Sequence, residues 1–339
     1  MTMEAFFQNY ILWCDGAGLP SEERAGCRTF REMYEVWKDV VPMRTLSQHA
    51  RCTQCAEFTA RIGKTTDSKL ISQLEAAQSA HIHNVKAYRL LQGRLNSLSE
   101  QSTSAAGGGV SPKQSLLKID LDGLDQSKTR YPRNMTSAKS LEKTWRPQIH
   151  LIAVICWGVL EGYILLEPDL PKDSSMEATI VVKALDWVEE ELKSRNIPMP
   201  ENLVVETDNT CREGKNQTMA KVTAAAVASG RFRSASHVFA EVGHTHSAID
   251  QRLSMAVSAF QAADVIQEPK DFEDIIKARI TPSRGRVMRT EILDGALDFK
   301  KYYEQLGLNI SGLVPNPRGD EHHVNHCWRF VRRCDSWLK

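Results

Sequence analysis

The chain has 339 residues, 42% hydrophobic and 25% charged, which are ordinary globular values; its length suits one main domain with a smaller appendage. A formal net charge of +1 excludes a basic footprint spread over the whole chain, so any nucleic-acid contact has to come from local patches. No run reaches the ~18 to 20 apolar residues of a membrane span, since the longest, IHLIAVICWGVLEGYILL, is broken by Gly158, Glu161 and Gly162.

The start, MTMEAFFQNYILWCDG, has neither a basic opening nor a small-residue cleavage site. The chain therefore reads as soluble and intracellular, with no membrane partner, and its eight cysteines as reduced thiols. Residues 1–98 read as a helical N-terminal domain: FREMYEVWKDVV and LISQLEAAQSAHIHNVKAYRLLQGRL lack Gly and Pro over long stretches and space their apolar residues by three and four.

Within this region Cys52 and Cys55 have a C-x-x-C spacing and share a helix face. A helical hairpin turning near KTTDS brings His81 level with Cys52, so the two thiolates with one or two of His49, His81 and His83 can hold a structural Zn²⁺. With no second C-x-x-C, thiols packed between helices are the competing reading. Residues 99–114, within SLSEQSTSAAGGGVSPKQ, have the Ser/Gly composition of a linker.

Strands follow. SLLKIDLDG alternates up to an Asp-Gly turn, and IHLIAVICWG and GYILLEPD form a hairpin about Val159–Gly162. SSMEATIVVKALDWVEEELKSR is a helix with a stripe of Ile180, Ala184, Trp187, Val188 and Leu192. NLVVETD is a strand, NQTMAKVTAAAVASG a helix stopped by Gly230, ASHVFAEVG a strand in which His237 is a packed residue, and SAIDQRLSMAVSAFQAAD a helix. The order β-β-β-α-β-α-β-α implies an α/β fold: an RNase H-like mixed five-stranded sheet flanked by helices, with residues 115–267 as its core.

In that arrangement the first and fourth strands are parallel neighbours, and acids at their carboxyl ends meet at one edge. Asp122 ends the first, with Asp120 two residues before it on the same face, and Asp208 ends the fourth. Asp250, on the helix after the last strand, can point back to that edge. Three such carboxylates repel one another unless cations lie between them, and two Mg²⁺ (or Mn²⁺) ions suit hard oxygen ligands and phosphodiester chemistry. His244 and His246 flank the site and can move a proton, ligate metal or contact phosphate. Taken alone, Asp208 is more often a turn or cap residue, and Asp125 divides evenly between an Asx-turn and a supporting role at the site.

Residues 268–339 read as a C-terminal extension with basic patches. ARITPSRGRVMR offers Arg284, Arg286 and Arg289 to a phosphate backbone, and WRFVRRC interleaves arginines with aromatics; a solvated basic face is the alternative for each. His322, His323 and His326 cluster without a second ligand set.

The motifs DGLDQSK, ETDNTCREGKNQ, GHTHSAID, RPQIHLIAVICWG and HCWRFVRR together resemble a transposon-derived family whose core is similar to DDE-type integrases and transposases. The resemblance covers roughly residues 45 to 335 and is strongest from Asp122 to Asp250. It implies a polynucleotidyl transferase ancestry, and the leading expectation is a DDE-type enzyme that cuts and joins DNA with two metal ions in the nucleus, with monomer and homo-oligomer both open. It carries Asp122, Asp125, Asp208, Asn209, Lys215, Asn216, His244, His246 and Asp250 as pattern positions, while Asp120 does not match. Two rivals stay open: a domesticated or decayed module that binds DNA or protein without catalysis, and an RNase H-like nuclease acting on another nucleic acid.

Overall fold

The computed structural model describes residues 3–37, 52–104, 109–134, 144–208, 214–239, 247–307 and 327–331. The chain divides into two compact units, Met1–Ala56 and Glu57–Lys339. In the first, α1 (Met3–Gly16) and α2 (Cys27–Trp37) are joined through Phe7, Tyr10 and Phe30, whose rings lie 5.0–6.1 Å apart. Arg24 closes the connecting turn by donating to the Leu19 carbonyl and to Asp15.

The division falls inside α3 (Thr53–Ile62), and α4 (Ser68–Ser102) belongs wholly to the second unit. The expected linker, residues 99–114, lies within the second unit. Asp67 caps α4 by accepting from Lys69 N and Leu70 N, and the helix runs on past residue 98 because its far end is tied to the sheet. Ser99 Oγ accepts from the backbone N–H of Lys118 and donates to the Trp157 carbonyl, and Ser102 Oγ accepts from Leu116 N.

The sheet is built from β1 (Leu116–Gly123), β3 (His150–Cys156), β4 (Leu160–Leu166), β5 (Asn202–Thr207), β6 (Ser234–Phe239), β8 (Val287–Leu293) and β9 (Cys327–Val331); β2 (Arg133–Asn134) and β7 (Val265–Ile266) pair separately. Its order is β8-β4-β3-β1-β5-β6-β9. β3 is antiparallel to both β1 and β4, and β1, β5 and β6 are mutually parallel. β1 and β5, the first and fourth of the expected strands, are parallel neighbours, and the sheet has seven strands among the described residues rather than five. β8 adds parallel to β4 and β9 antiparallel to β6. Residues 268–339 therefore contribute sheet edges, which corrects their reading as an appended extension.

The helices α5 (Ser174–Ser194), α6 (Gln217–Ala228), α7 (Ala248–Gln261), α8 (Pro269–Arg279) and α9 (Phe299–Gln305) complete the unit. Alternation in the strands sends Leu117, Ile119, Leu121, Leu203 and Val205 to one face, under the buried stripe of α5 and under α6. All five stripe residues, Ile180, Ala184, Trp187, Val188 and Leu192, are buried there. The other face carries Leu151, Ala153, Ile155, Tyr163 and Leu165 against Ile249, Leu253 and Phe260 of α7 and Phe272 and Ile276 of α8. Both faces are covered, so β3 and β4 are buried at every residue.

Gly158 turns β3 into β4 at φ +81°, and a Cβ there would stand 2.2 Å from Thr103 Oγ1 at the end of α4. Gly230 ends α6 at φ +79°. Among the described residues no helix is long and apolar enough to cross a membrane.

Candidate metal-dependent active site

The residues of β1 opposite its apolar face are Lys118, Asp120 and Asp122. β1 and β5 are parallel in a register that sets Lys118 beside Val204 and Asp120 beside Glu206. Asp122 and Asp208 stand just beyond the last of these pairs, near enough for the Asp208 charge to act on the Asp122 carboxyl. Asp250 arrives from the first turn of α7, where it is the acidic partner of a capping box: Ser247 Oγ accepts from Asp250 N, and Asp250 Oδ2 accepts from Ser247 N at 2.9 Å. The cap fixes the rotamer of this carboxylate.

Asp122 lies within reach of the charges of the other two. Burial pushes the Asp122 carboxyl up to about 7, aided by the charges of Asp250 and Asp208 and opposed by the Gly123 N–H and by Lys172. Lys172 Nζ lies over Gly123, 2.7 Å from where a Cβ would stand. Crowded carboxylate oxygens of this kind are hard donors that call for positive charge, and they fit Mg²⁺ or Mn²⁺.

One step further into the sheet lies a second pair of acids, already neutralised. Lys118, 1% exposed, places Nζ 2.6 Å from Asp120 and 2.8 Å from Glu206. Trp157 Nε1 donates to Asp120 Oδ2 at 2.7 Å, and Tyr88 OH on α4 donates to Glu206 Oε1 at 2.6 Å. Burial, then the charge on Glu206, pushes the Tyr88 hydroxyl well above its usual range, which keeps it a donor. The pattern was present in the sequence as two acid-x-acid steps, Asp120/Asp122 and Glu206/Asp208, with a lysine in an apolar strand. Glu206, Lys118, Tyr88 and Trp157 were nonetheless missed, because strand pairing and the position of α4 make the network.

The remaining expected residues divide. Asp125 is exposed and accepts from the N–H and hydroxyl of Ser127, which is the Asx-turn alternative. Asn216 caps α6 by accepting from Met219 N, and Lys215 Nζ lies 5.3 Å from the Phe239 ring centroid. His237 is fully buried beside Phe239 and Trp328, with Nε2 3.0 Å from Thr207 Oγ1; burial holds its ring neutral, at about 3. His49, Asn209, His244, His246 and the cluster His322, His323 and His326 lie outside the described residues.

Arg286 is a correction. Its side chain is 6% exposed, its guanidinium is 2.9 Å from fully buried Glu161 and 2.8 Å from Glu100, and it stacks 4.4 Å from the Trp157 centroid. A guanidinium engaged on two carboxylates inside the fold is not offered to DNA. Arg289 is 38% exposed and 3.8 Å from Glu190 and Glu191, while Arg284 is exposed.

Cys52 and Cys55 place their sulfurs within 4.8 Å of one another in the first unit. In the second unit His81 is buried, its ring 6.5 Å from that of Phe58.

A cavity of about 340 Å³ opens beside the acids, walled by Tyr88, Gln92 and Asn96 of α4 and by Asp120, Asp122, Glu206, Asp208 and Ser247–Ile249.

Comparison with protein families matches residues 139–318 to the family described as "Domain of unknown function (DUF7869)". No curated protein matches the sequence. Similar solved structures include a pre-cleavage Mos1 transpososome, at 10% identity and TM-score 0.34 over 84% of this chain and 87% of that one. Another is the Mos1 mariner paired end complex with Mn, at 11% identity and TM-score 0.31 over 80% and 83%.

Proposed function

The chain belongs to the DUF7869 family, a domain of unknown function, and from its own site we propose that it is a metal-dependent polynucleotidyl transferase with an RNase H-like core, cutting and joining DNA as DDE-type enzymes do. The observation that supports this reading is the meeting of Asp122, Asp208 and Asp250, from β1, the end of β5 and the first turn of α7, at the carboxyl ends of parallel strands.

Two Mg²⁺ or Mn²⁺ ions held by these three carboxylates would activate the attacking oxygen and stabilise the leaving one. The protein's own part is positional. Ser247 holds Asp250 in one orientation, and the β1–β5 ladder brings Asp122 near Asp208. The Lys118 ammonium, with Tyr88 and Trp157, neutralises Asp120 and Glu206, so Asp122, Asp208 and Asp250 are the acids left to take up cations.

A supercoiled-plasmid nicking assay tests this directly. Nicking that requires Mg²⁺ or Mn²⁺ and stops with chelator is the expected result. No nicking with either ion, on DNA that the protein binds, would leave the binding-module reading in its place.

Arg284 is exposed and Arg289 half-exposed, so these two of the three expected arginines reach solvent. Replacing both by Ala is expected to weaken DNA binding for all sequences alike and to flatten the log-log salt slope by about 0.9 per lost phosphate contact. An unchanged slope removes this segment from the interface. Arg286 is left out of that variant because it is engaged inside the fold on Glu161 and Glu100.

The Cys52–Cys55 pair is proposed to hold a structural Zn²⁺. Freshly purified protein is expected to carry about one zinc per chain by elemental analysis, lost in Cys52→Ser/Cys55→Ser. Zinc-free protein of full solubility would show that the thiols are only packed.

A further inference from the structure

The cavity beside the carboxylates has a polar wall that the proposed cleavage does not use. Gln92 and Asn96 are four residues apart on α4, so they share one helix face, and both line the cavity. Oε1 of Gln92 and Oδ1 of Asn96 are buried without a hydrogen-bond partner, while the Gln92 amide nitrogen is turned toward the Tyr88 hydroxyl. Buried polar atoms of this kind are costly, and native structures retain few of them. Two on one wall of a single cavity are accounted for by a ligand that brings matching donors and acceptors.

The shape of the cavity narrows the ligand. Leu121, Ala248 and Ile249 give the lining an apolar part beside the amides. Its volume of about 340 Å³ is at the low end for small-molecule sites, roughly 300–1,000 Å³, which admits one base with its sugar and not a base pair. α4 also forms a roof fixed at two points, by Tyr88 on Glu206 and by Ser99 on Lys118 and Trp157, so a duplex cannot lie flat over this part of the site. A carboxamide presents a donor and an acceptor side by side, which is the pattern of a nucleobase edge.

We propose that this cavity receives a single unstacked nucleobase next to the scissile phosphate, with the Gln92 and Asn96 amides bonding to its edge. The placement next to a phosphate rests on the reading of the three carboxylates as a phosphodiester site. The base pocket itself rests on the amides and the cavity. Drawing one nucleotide out of its stack brings its backbone to acids that a continuous duplex would not reach, and it favours ends, flaps and distorted junctions over intact DNA.

The test uses the full chain without divalent cations and takes as probes the four deoxynucleosides, with 2-deoxyribose as the base-less control, titrated calorimetrically. At least one nucleoside is expected to bind 10-fold or more tighter than the sugar, and Gln92→Leu/Asn96→Leu is expected to lose that gain while melting no lower than the parent. Should the double variant fold poorly, Asn96→Leu alone carries the same comparison.

Nucleosides that bind no better than deoxyribose, or that bind the amide variants as well as the parent, overturn the proposal. Base binding in a protein that never nicks DNA would leave the pocket standing and remove the phosphodiester reading. Metal-dependent nicking with no base binding would do the reverse.

Discussion

Asp208→Asn is expected to lower metal-dependent DNA nicking on the order of 10³-fold while leaving the circular dichroism spectrum and melting temperature close to those of the parent. On the proposed two-metal chemistry the loss is large because the substitution would take a charged oxygen donor from cations that together would lower the barrier by several kcal/mol, each ~1.4 kcal/mol being tenfold. The fold survives because Asp208 stands just past the end of β5, half-buried, and its backbone carbonyl still accepts from Thr207 Oγ1. The neighbouring Gly214 is different: a Cβ there would meet Thr207 Oγ1 at 2.3 Å and the Asp208 carbonyl at 3.0 Å, so a side chain would push the loop off the strand end. If Asp208→Asn keeps full activity, Asp208 is a turn residue and the carboxylate triad is wrong.

The largest stability effect is expected at Lys118→Met. The lysine is 1% exposed and is the ammonium between Asp120 and Glu206. Methionine fills a similar volume but leaves two buried acids with only Trp157 and Tyr88 as donors. Removing one partner of a buried ion network costs about 3–5 kcal/mol. Urea denaturation should show that loss, and Lys118→Met/Asp120→Asn/Glu206→Gln should recover most of it, since no charge is then left unpaired. A cost under about 1 kcal/mol in the single variant would mean that water reaches these groups and that the network is not closed. The same network explains why Asp120, on the same face as Asp122, is no equivalent candidate for cation binding.

What the sequence made legible was whatever local periodicity encodes. The α5 stripe, the stop at Gly230, the three opening strands and the acids at the ends of β1 and β5 all follow from spacing and turn chemistry within one element and its neighbours. The edge strands did not. In β8 every residue but Leu293 is half-buried, and polar positions such as Arg289 and Glu291 are satisfied by α5, through Glu190, Glu191 and Lys183. No alternation of apolar and polar residues marks a strand of that kind.

Contacts between distant segments were the other loss. Tyr88 and Glu206 are 118 residues apart, and Arg286 is 125 from Glu161 and 186 from Glu100. The first pair moves α4 from an N-terminal helical domain onto the sheet. The others turn an arginine from a basic loop into an internal clamp. In each case the residue type and spacing were visible, and the partner was not.

The account turns on Asp122, Asp208 and Asp250 sharing divalent cations, and the most direct measurement is anomalous diffraction from crystals of the full chain soaked in Mn²⁺. The account predicts manganese within about 2.0–2.3 Å of carboxylate oxygens from all three aspartates, with none bound at the Asp120–Glu206 pair that Lys118 occupies. Manganese bound elsewhere with these three carboxylates free of it, or no manganese at millimolar concentration, would contradict it.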